Sequence, residues 1–240
     1  MTLVVIQTGD GSRTLFDTDR NIYFRSLQGA QSESDYVFLE ASRIQEYSNW
    51  RVLELGLGTA LNFLRTAEAC LNGSAKQLDY YAVESQPLDP QVFLALQHQS
   101  HLKHPWLIEL VHEAFVQAQT QSLVLVQQDS ICLHLFAQNW QNNPLPAELE
   151  VDAIYHDPFG PKENPEAWTQ DCFAWEARYL SPQGRLVTYG AATAVRKAMV
   201  AAGLMVASLP GSGSKREMTL AAKTPAALSH SQILNQSKYA

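Results

Sequence analysis

Cysteine is scarce in this chain: Cys70, Cys132 and Cys172 are the only three in 240 residues. They are odd in number, far apart and form no C-x-x-C pair. This pattern excludes a disulfide framework and offers no zinc-ligand spacing, so no metal is expected. Small, buried apolar side chains are the plainer reading of all three. Long apolar runs are also missing, since no stretch approaches the ~20 residues that a membrane-spanning helix needs. The opening MTLVVIQTGDGSR has no basic n-region, and its apolar run is too short for a signal peptide. No membrane partner and a cytoplasmic location are therefore expected. Positive charge is in short supply as well: 17 Lys and Arg face 24 Asp and Glu, giving a net charge of -7. A uniformly basic nucleic-acid binder is excluded. The deficit is uneven, however. From Arg178 to Lys223 there are seven basic residues (Arg178, Arg185, Arg196, Lys197, Lys215, Arg216 and Lys223) and one acid, Glu217. Local potential rather than total charge attracts a phosphate backbone. A solvated basic face is the other reading.

What is present is a globular α/β chain, with 46% apolar and 17% charged residues. Residues 1–45 read as a β/helical N-terminal extension packed on a core formed by residues 46–240. In the extension, a turn at Asp10-Gly11 separates two short strand runs, and SESDYVFLEASRIQEY carries Val37, Phe38, Ala41 and Ile44 at helical spacing. Strand and helix then alternate. RVLEL, LDYYAVE, VDAIYHD and GRLVTYG are strands with helical stretches between most of them, and SLVLV and ICLHLF are two further β runs. This alternation predicts a mostly parallel sheet with helices on both faces. The last two runs, LMVASLP and EMTLAAK, are separated only by GSGSKR and predict an antiparallel hairpin at one edge.

LELGLGTALNFL places Glu54, Gly56 and Gly58 where a strand passes into a helix. Gly56 permits a tight turn, and Gly58 allows a ligand close to the backbone. Leu61 stands where a dinucleotide fingerprint has its third glycine, which weakens a pyrophosphate reading. Glu84 closes the next strand, where a carboxylate can hold both hydroxyls of a ribose. Two strand-end acids around a G-x-G turn suit S-adenosylmethionine, whose sulfonium and amino group are positive. A plain strand–helix turn with solvated acids is the blander reading.

The stretch HDPFGPKENPEAWT supplies a third strand-end acid, Asp157. Ligands of open α/β sheets sit outside the carboxyl ends of the strands, so Glu54, Glu84 and Asp157 are expected to converge on one crevice. There Asp157 is placed to bind, orient and take the proton of an amine nucleophile. Asp157-Pro158-Phe159 is similar to the acid/Asn-Pro-aromatic tetrapeptides of amine methyltransferases, in shortened form. The prolines stiffen the loop, and Phe159 and Trp168 are candidate stacking surfaces for adenine or a substrate base. Alternatively, Asp157 caps a turn and the aromatics belong to the core.

Several stretches together resemble the methyltransferase domain of the MnmC type: DGSRTLF, LELGLGTALNFL, YYAVESQPL, DAIYHDPFGPKENPEAWTQDCF, LSPQGRLVTYGAATAVRKAMVAAG and GSGSKREM. The D-x-F-x-P-x-x-N-P-x-x-W-T run and the final KREM are its most specific parts. The resemblance implies a Rossmann-like class I S-adenosylmethionine-dependent methyltransferase fold, with a seven-stranded sheet over residues 46–240. It implies methyl transfer to the exocyclic amine of a 5-aminomethyl-(2-thio)uridine at the wobble position, in the anticodon loop of tRNA. Carried across, Glu54, Gly56, Gly58 and Asn62 would line the methionine end, Glu84 would hold the ribose, and Asp157 with Pro158 would face the cofactor and the amine. Lys215 and Arg216 would lie near tRNA phosphates or the pocket mouth. Gln138 stands where the family often has an acid near the adenine amino group. No flavin-dependent oxidase half is expected in 240 residues, which implies a stand-alone methyltransferase. A methyltransferase for a small amine metabolite and a non-catalytic nucleoside- or RNA-binding module are the alternatives.

Overall fold

The computed structural model describes residues 2–213 and 216–239. It begins with a small sheet set apart from the main one. Strands β1 (Leu3–Gln7), β2 (Arg13–Asp17) and β3 (Ile22–Tyr23) pair antiparallel in that order. Asp10 fixes the first turn. One of its oxygens accepts from the Ser12 amide at 3.1 Å, and the other accepts from the Ser32 amide at 2.9 Å, which ties the hairpin to the next element. That element is a short helix α1 (Ala30–Glu33) running into a π-helix, Ser34–Glu40. Helical spacing predicted an ordinary helix here. The wider π turn instead buries the three consecutive residues Val37, Phe38 and Leu39. Its flanks are held by Tyr36 donating to the Pro210 carbonyl at 2.9 Å and by an Asp35–Arg65 ion pair at 2.7 Å.

The main sheet follows. The elements are β4 (Asn49–Leu55), α2 (Leu61–Asn72), β5 (Gln77–Val83), α3 (Pro90–Ala95), α4 (Trp106–Ala118), β6 (Leu123–Gln128), β7 (Ile131–Phe136), β8 (Val151–His156), α5 (Gln170–Tyr179), β9 (Leu180–Thr188), α6 (Thr193–Ala201), β10 (Met205–Pro210), β11 (Glu217–Ala222) and β12 (Gln232–Ile233). Nine strands lie in the order β12-β10-β11-β9-β8-β4-β5-β7-β6. The predicted parallel core is β7, β5, β4, β8 and β9. Two strands exceed the expected seven: β6 pairs antiparallel outside β7, and β12 pairs outside β10. The β10–β11 hairpin is antiparallel as predicted, but it is not the edge. β11 inserts between β9 and β10.

Both faces of the central strands are buried, as parallel sheets require. Neighbouring residues Val52 and Leu53 of β4 are each 0% exposed, on opposite faces. One side packs Phe63, Tyr80, Phe93, Phe115 and Tyr155 against α2, α3, α4 and the N-terminal segment. The other packs Ile154, Phe173, Trp175 and Met199 against α5 and α6. From β4 the chain proceeds outward to β5, and from β8 it proceeds the other way to β9. The junction between β4 and β8 is thus the switch point at which an open α/β sheet forms a crevice.

Candidate active site

Three strands deliver their last residues to that crevice. β4 ends at Leu55 and turns through Gly56, whose φ is +89°, and Gly58, whose φ is +51°. Ala60, at φ +58°, takes the same left-handed conformation at the entry to α2, an uncommon one for a residue with a Cβ. A Cβ on Gly56 would lie 2.9 Å from the Asp157 carbonyl oxygen and 3.0 Å from the Pro158 Cα, so only glycine lets the first turn pass under the β8 loop. The Asp157 amide in turn donates to the Leu55 carbonyl at 3.0 Å. The ends of β4 and β8 are therefore in direct backbone contact.

A cavity of about 560 Å³ opens above this junction, within the size range of small-molecule sites. Gly56, Gly58, Glu84, Gln138, Asp157, Pro158 and Phe159 all line it, so most of the sequence-predicted residues share one wall. Glu84 is occupied with backbone: its carboxylate accepts from the Gly58 amide at 3.1 Å and the Gln86 amide at 2.9 Å, bracing the glycine turn. Phe159 meets Phe24 edge to face with centroids 4.9 Å apart. Pro158 is fixed by the Tyr189 hydroxyl, which donates to its carbonyl at 2.7 Å.

Glu54 does not line the cavity. It is fully buried beneath the glycine turn. One oxygen accepts from the Asn62 amide at 2.7 Å and the other from the Tyr80 hydroxyl at 2.8 Å. Burial pushes its carboxyl up to about 8, against the opposing pull of the Arg25 charge and with a further push from Asp157. Glu54 is thus mostly protonated at neutral pH, and Asn62, itself buried and off the cavity wall, links it to Asp157. The second Asn62 amide hydrogen reaches Asp157 Oδ2 at 2.9 Å.

Arg25 was not singled out from the sequence. The connection after β3 inserts its side chain, 4% exposed, into an ion pair with Asp157. Burial pulls its pKa down, but the neighbouring acids, Asp157 foremost, outweigh this and raise it. It lies 5.6 Å from the centroid of the Phe38 ring, a cation–π contact with the π-helix. Only its place beside Phe24, in a run with no matching periodicity, precedes the structure.

Trp168 also differs from expectation. It is 6% exposed and outside the cavity wall. Its indole donates to the Phe159 carbonyl at 2.7 Å, and its ring packs against Gly190, where a Cβ would fall 2.5 Å away. Trp168 holds the loop bearing Phe159 rather than offering a free stacking face. Behind the loop, His156 pairs with Glu176 at 2.9 Å, both fully buried. All three cysteines are buried and free.

The basic C-terminal segment is partly consumed by the fold. Arg185 is buried and donates to the carbonyls of Ala41 at 3.3 Å and Ser229 at 2.9 Å. Arg196 is buried and pairs with Glu217 at 2.8 Å. Arg178, Lys197, Arg216 and Lys223 remain exposed. Arg216 closes the β10–β11 loop by accepting from the Gly211 amide at 3.1 Å, and it does not line the cavity. Lys215 lies outside the described residues.

The cavity wall fits a nucleoside carrying a cationic group. Its backbone is bare at two glycines, and Glu84 stands at its side. The buried Thr59 Oγ1, on a lining residue, has no hydrogen-bond partner among the described residues and suits a donor of an amino group. A family model described as S-adenosyl-L-methionine-dependent methyltransferase matches residues 102–224. The chain belongs to that family, with S-adenosyl-L-methionine as its cofactor. Among curated proteins, the tRNA 5-methylaminomethyl-2-thiouridine biosynthesis bifunctional protein MnmC of Ralstonia nicotianae is 31% identical over 227 residues, covering 87% of this chain and 33% of that protein. MnmC of Magnetococcus marinus is 32% identical over 209 residues, 82% of this chain and 30% of that protein. The chain thus spans about a third of the length of these relatives. MNMC2 from Aquifex aeolicus superposes with a TM-score of 0.74 at 22% identity, over 99% of this chain and 74% of that one, and shares the fold. No described helix is long and apolar enough to cross a membrane.

Proposed function

We propose that the chain transfers a methyl group from S-adenosylmethionine to the exocyclic amine of a 5-aminomethyl-(2-thio)uridine at the tRNA wobble position, giving the 5-methylaminomethyl product. The observation that carries this reading is Asp157: it lines the cavity, its backbone meets the Gly56 turn, and its carboxylate is held by Asn62 and Arg25. The resemblance to MnmC proteins named for 5-methylaminomethyl-2-thiouridine biosynthesis supports the choice of acceptor.

The bound cofactor supplies an electrophilic methyl on a sulfonium. The residues of this chain do the rest. Gly56 and Gly58 would give the cofactor close approach to backbone, Glu84 would hold its ribose, and Gln138 would stand at the adenine end; all four line the cavity. Asn62 spans Glu54 and Asp157, so the acid that meets the amine is fixed from below. Phe24 and Phe159, in edge-to-face contact, line the cavity near it. Orientation of this kind supplies roughly 7 kcal/mol or more. Arg216 and Lys215 are read as contacts to tRNA phosphates.

Mass spectrometry of wobble nucleosides from cells lacking this chain tests the proposal: 5-aminomethyl nucleoside accumulates and the methylated product disappears. An unchanged nucleoside profile, together with no transfer to such a tRNA in vitro, removes the reading. One observation favours a small-amine acceptor instead. Glu33, Glu84, Glu163 and Glu166 all line the cavity, with Arg20 and Arg25 as its basic lining residues, which disfavours close approach of phosphates. Turnover of free 5-aminomethyluridine at the rate of the tRNA would support that second reading.

A further inference from the structure

We propose that Arg25 is a fixed counter-ion for Asp157 that makes the pocket take its acceptor amine uncharged. The inference rests on the amine N-methyltransferase reading above and concerns how that same site selects the protonation state of its substrate.

The argument starts from charge. An alkyl amine is mostly ammonium at neutral pH, and ammonium has no lone pair with which to attack. A bare Asp157 would bind that ammonium tightly and hold it in the unreactive form. Here the carboxylate is already matched by a guanidinium that is 4% exposed and cannot lose its proton. The other groups facing Arg25 do not reverse this balance. Glu54, on β4, is largely protonated at neutral pH and is spanned by Asn62 and Tyr80. Glu33, at the end of α1, accepts from the Ser26 amide at 3.2 Å. Tyr80 and Tyr189 stay neutral because burial pushes their hydroxyls up. His98, from the segment after α3, is buried and held at about 3, so it too is neutral. Phe38 contributes only its ring face.

An arriving ammonium would therefore add a second cation beside Arg25, in a site where the cofactor brings a third. A free amine adds no charge and can still donate to Asp157. Its lone pair then forms the new N–C bond while the S–CH₃ bond breaks and its electron pair stays on sulfur. The positive charge passes from sulfur to nitrogen. The resulting secondary ammonium gives up one proton, to Asp157 or to water. Arg25 is thus a positioning residue that acts through Asp157 and through charge.

The test counts protons. A 5-aminomethyluridine anticodon stem-loop is titrated into the protein saturated with S-adenosylhomocysteine, by calorimetry at pH 7 in buffers of different ionisation heat. The neutral thioether removes the sulfonium from the comparison. Uptake of the free amine releases roughly one proton per acceptor bound. Arg25→Gln and Arg25→Met release none, bind the acceptor more tightly at pH 6, and transfer methyl more slowly; Arg25→Lys restores the release. Kinetics give a second measurement that needs no variant. For the native protein, kcat/KM rises about tenfold per pH unit up to the pKa of the amine. That midpoint moves down with an acceptor whose amine is made less basic by a neighbouring fluorine, whereas a limb set by Glu54 does not move. Zero proton release by the native protein, or a kcat/KM flat from pH 6 to 8, overturns the role of Arg25 while leaving methyl transfer intact. Absence of transfer to any 5-aminomethyluridine RNA refutes the functional proposal instead.

Discussion

Asn62 donates to Asp157 at 2.9 Å while holding Glu54 at 2.7 Å, so one side chain on α2 joins the ends of two adjacent strands. Each partner in this chain has a separable consequence.

Asp157→Asn keeps the shape of the site and removes the charge. Methyl transfer is expected to fall at least about a hundredfold, with cofactor affinity within a few-fold of native. Asp157→Ala should also cost about 3 kcal/mol in stability, because it leaves buried Arg25 without its counter-ion. Urea unfolding and calorimetry with S-adenosylhomocysteine measure the two effects. Full activity in Asp157→Asn would remove this residue from the reaction.

The raised carboxyl of Glu54 makes stability depend on pH. Its folded value is about 8 against an ordinary 4.5, so between those values the folded protein binds the extra proton. Its contribution is complete below about pH 4.5 and is lost as pH rises toward 8. The ligand-free protein should lose up to about 5 kcal/mol over that window from this group, about 1.4 kcal/mol for each pH unit between the two values. Glu54→Gln should flatten the profile. An equal slope in both proteins would show that Glu54 is ionised in the fold.

Gly56→Ala and Gly203→Ala form a matched pair. Both glycines have strongly positive φ, +89° and +86°. A Cβ at Gly203 meets nothing within 4 Å, whereas one at Gly56 strikes the Asp157–Pro158 backbone. Gly203→Ala should cost only about 1–2 kcal/mol of backbone strain. Gly56→Ala should in addition weaken cofactor binding by about tenfold or more. Equal binding by the two variants would separate the glycine turn from the cofactor.

Trp168→Phe keeps the buried ring and deletes the bond to the Phe159 carbonyl. Such a bond is worth about 1 kcal/mol, so transfer should fall about fivefold with little change in cofactor affinity. A rate loss above a hundredfold would point instead to direct contact with substrate.

Arg216→Glu should weaken tRNA binding and lower the salt slope by about one. Arg185→Glu should unfold the protein, since its guanidinium is bonded to interior carbonyls. Unchanged salt dependence in Arg216→Glu would remove the β10–β11 loop from the RNA surface.

The parts of this site written in contiguous stretches were legible. The glycine turn, Glu84 and Asp157 could be placed because strand, turn and helix are local, and an open α/β sheet sends its strand ends to one side; Glu54 was expected in the same crevice but is buried beneath the turn. Asp157 stood out because an apolar run stopped at it. Arg25 and Tyr80 did not, since each matters through a partner far away in sequence, and no periodicity marks such a pairing. The sequence leaves Trp168 open between a stacking surface and the core for a related reason. An indole in a proline-rich loop reads the same whether its ring faces a ligand or the core, and the deciding contact with Gly190 is tertiary. The run of cations ending at Lys223 shows the limit of counting charge: Arg185 and Arg196 were spent inside the fold.

The N-terminal sheet is not an ornament on an enzyme that is complete without it. Because Arg25 and Phe24 enter from that sheet's last connection, residues near the start of the chain complete the surroundings of Asp157 and Phe159, which lie more than 130 residues later. A chain cut back to its large sheet would keep the glycine turn and Asp157 but lose the buried cation that faces that carboxylate.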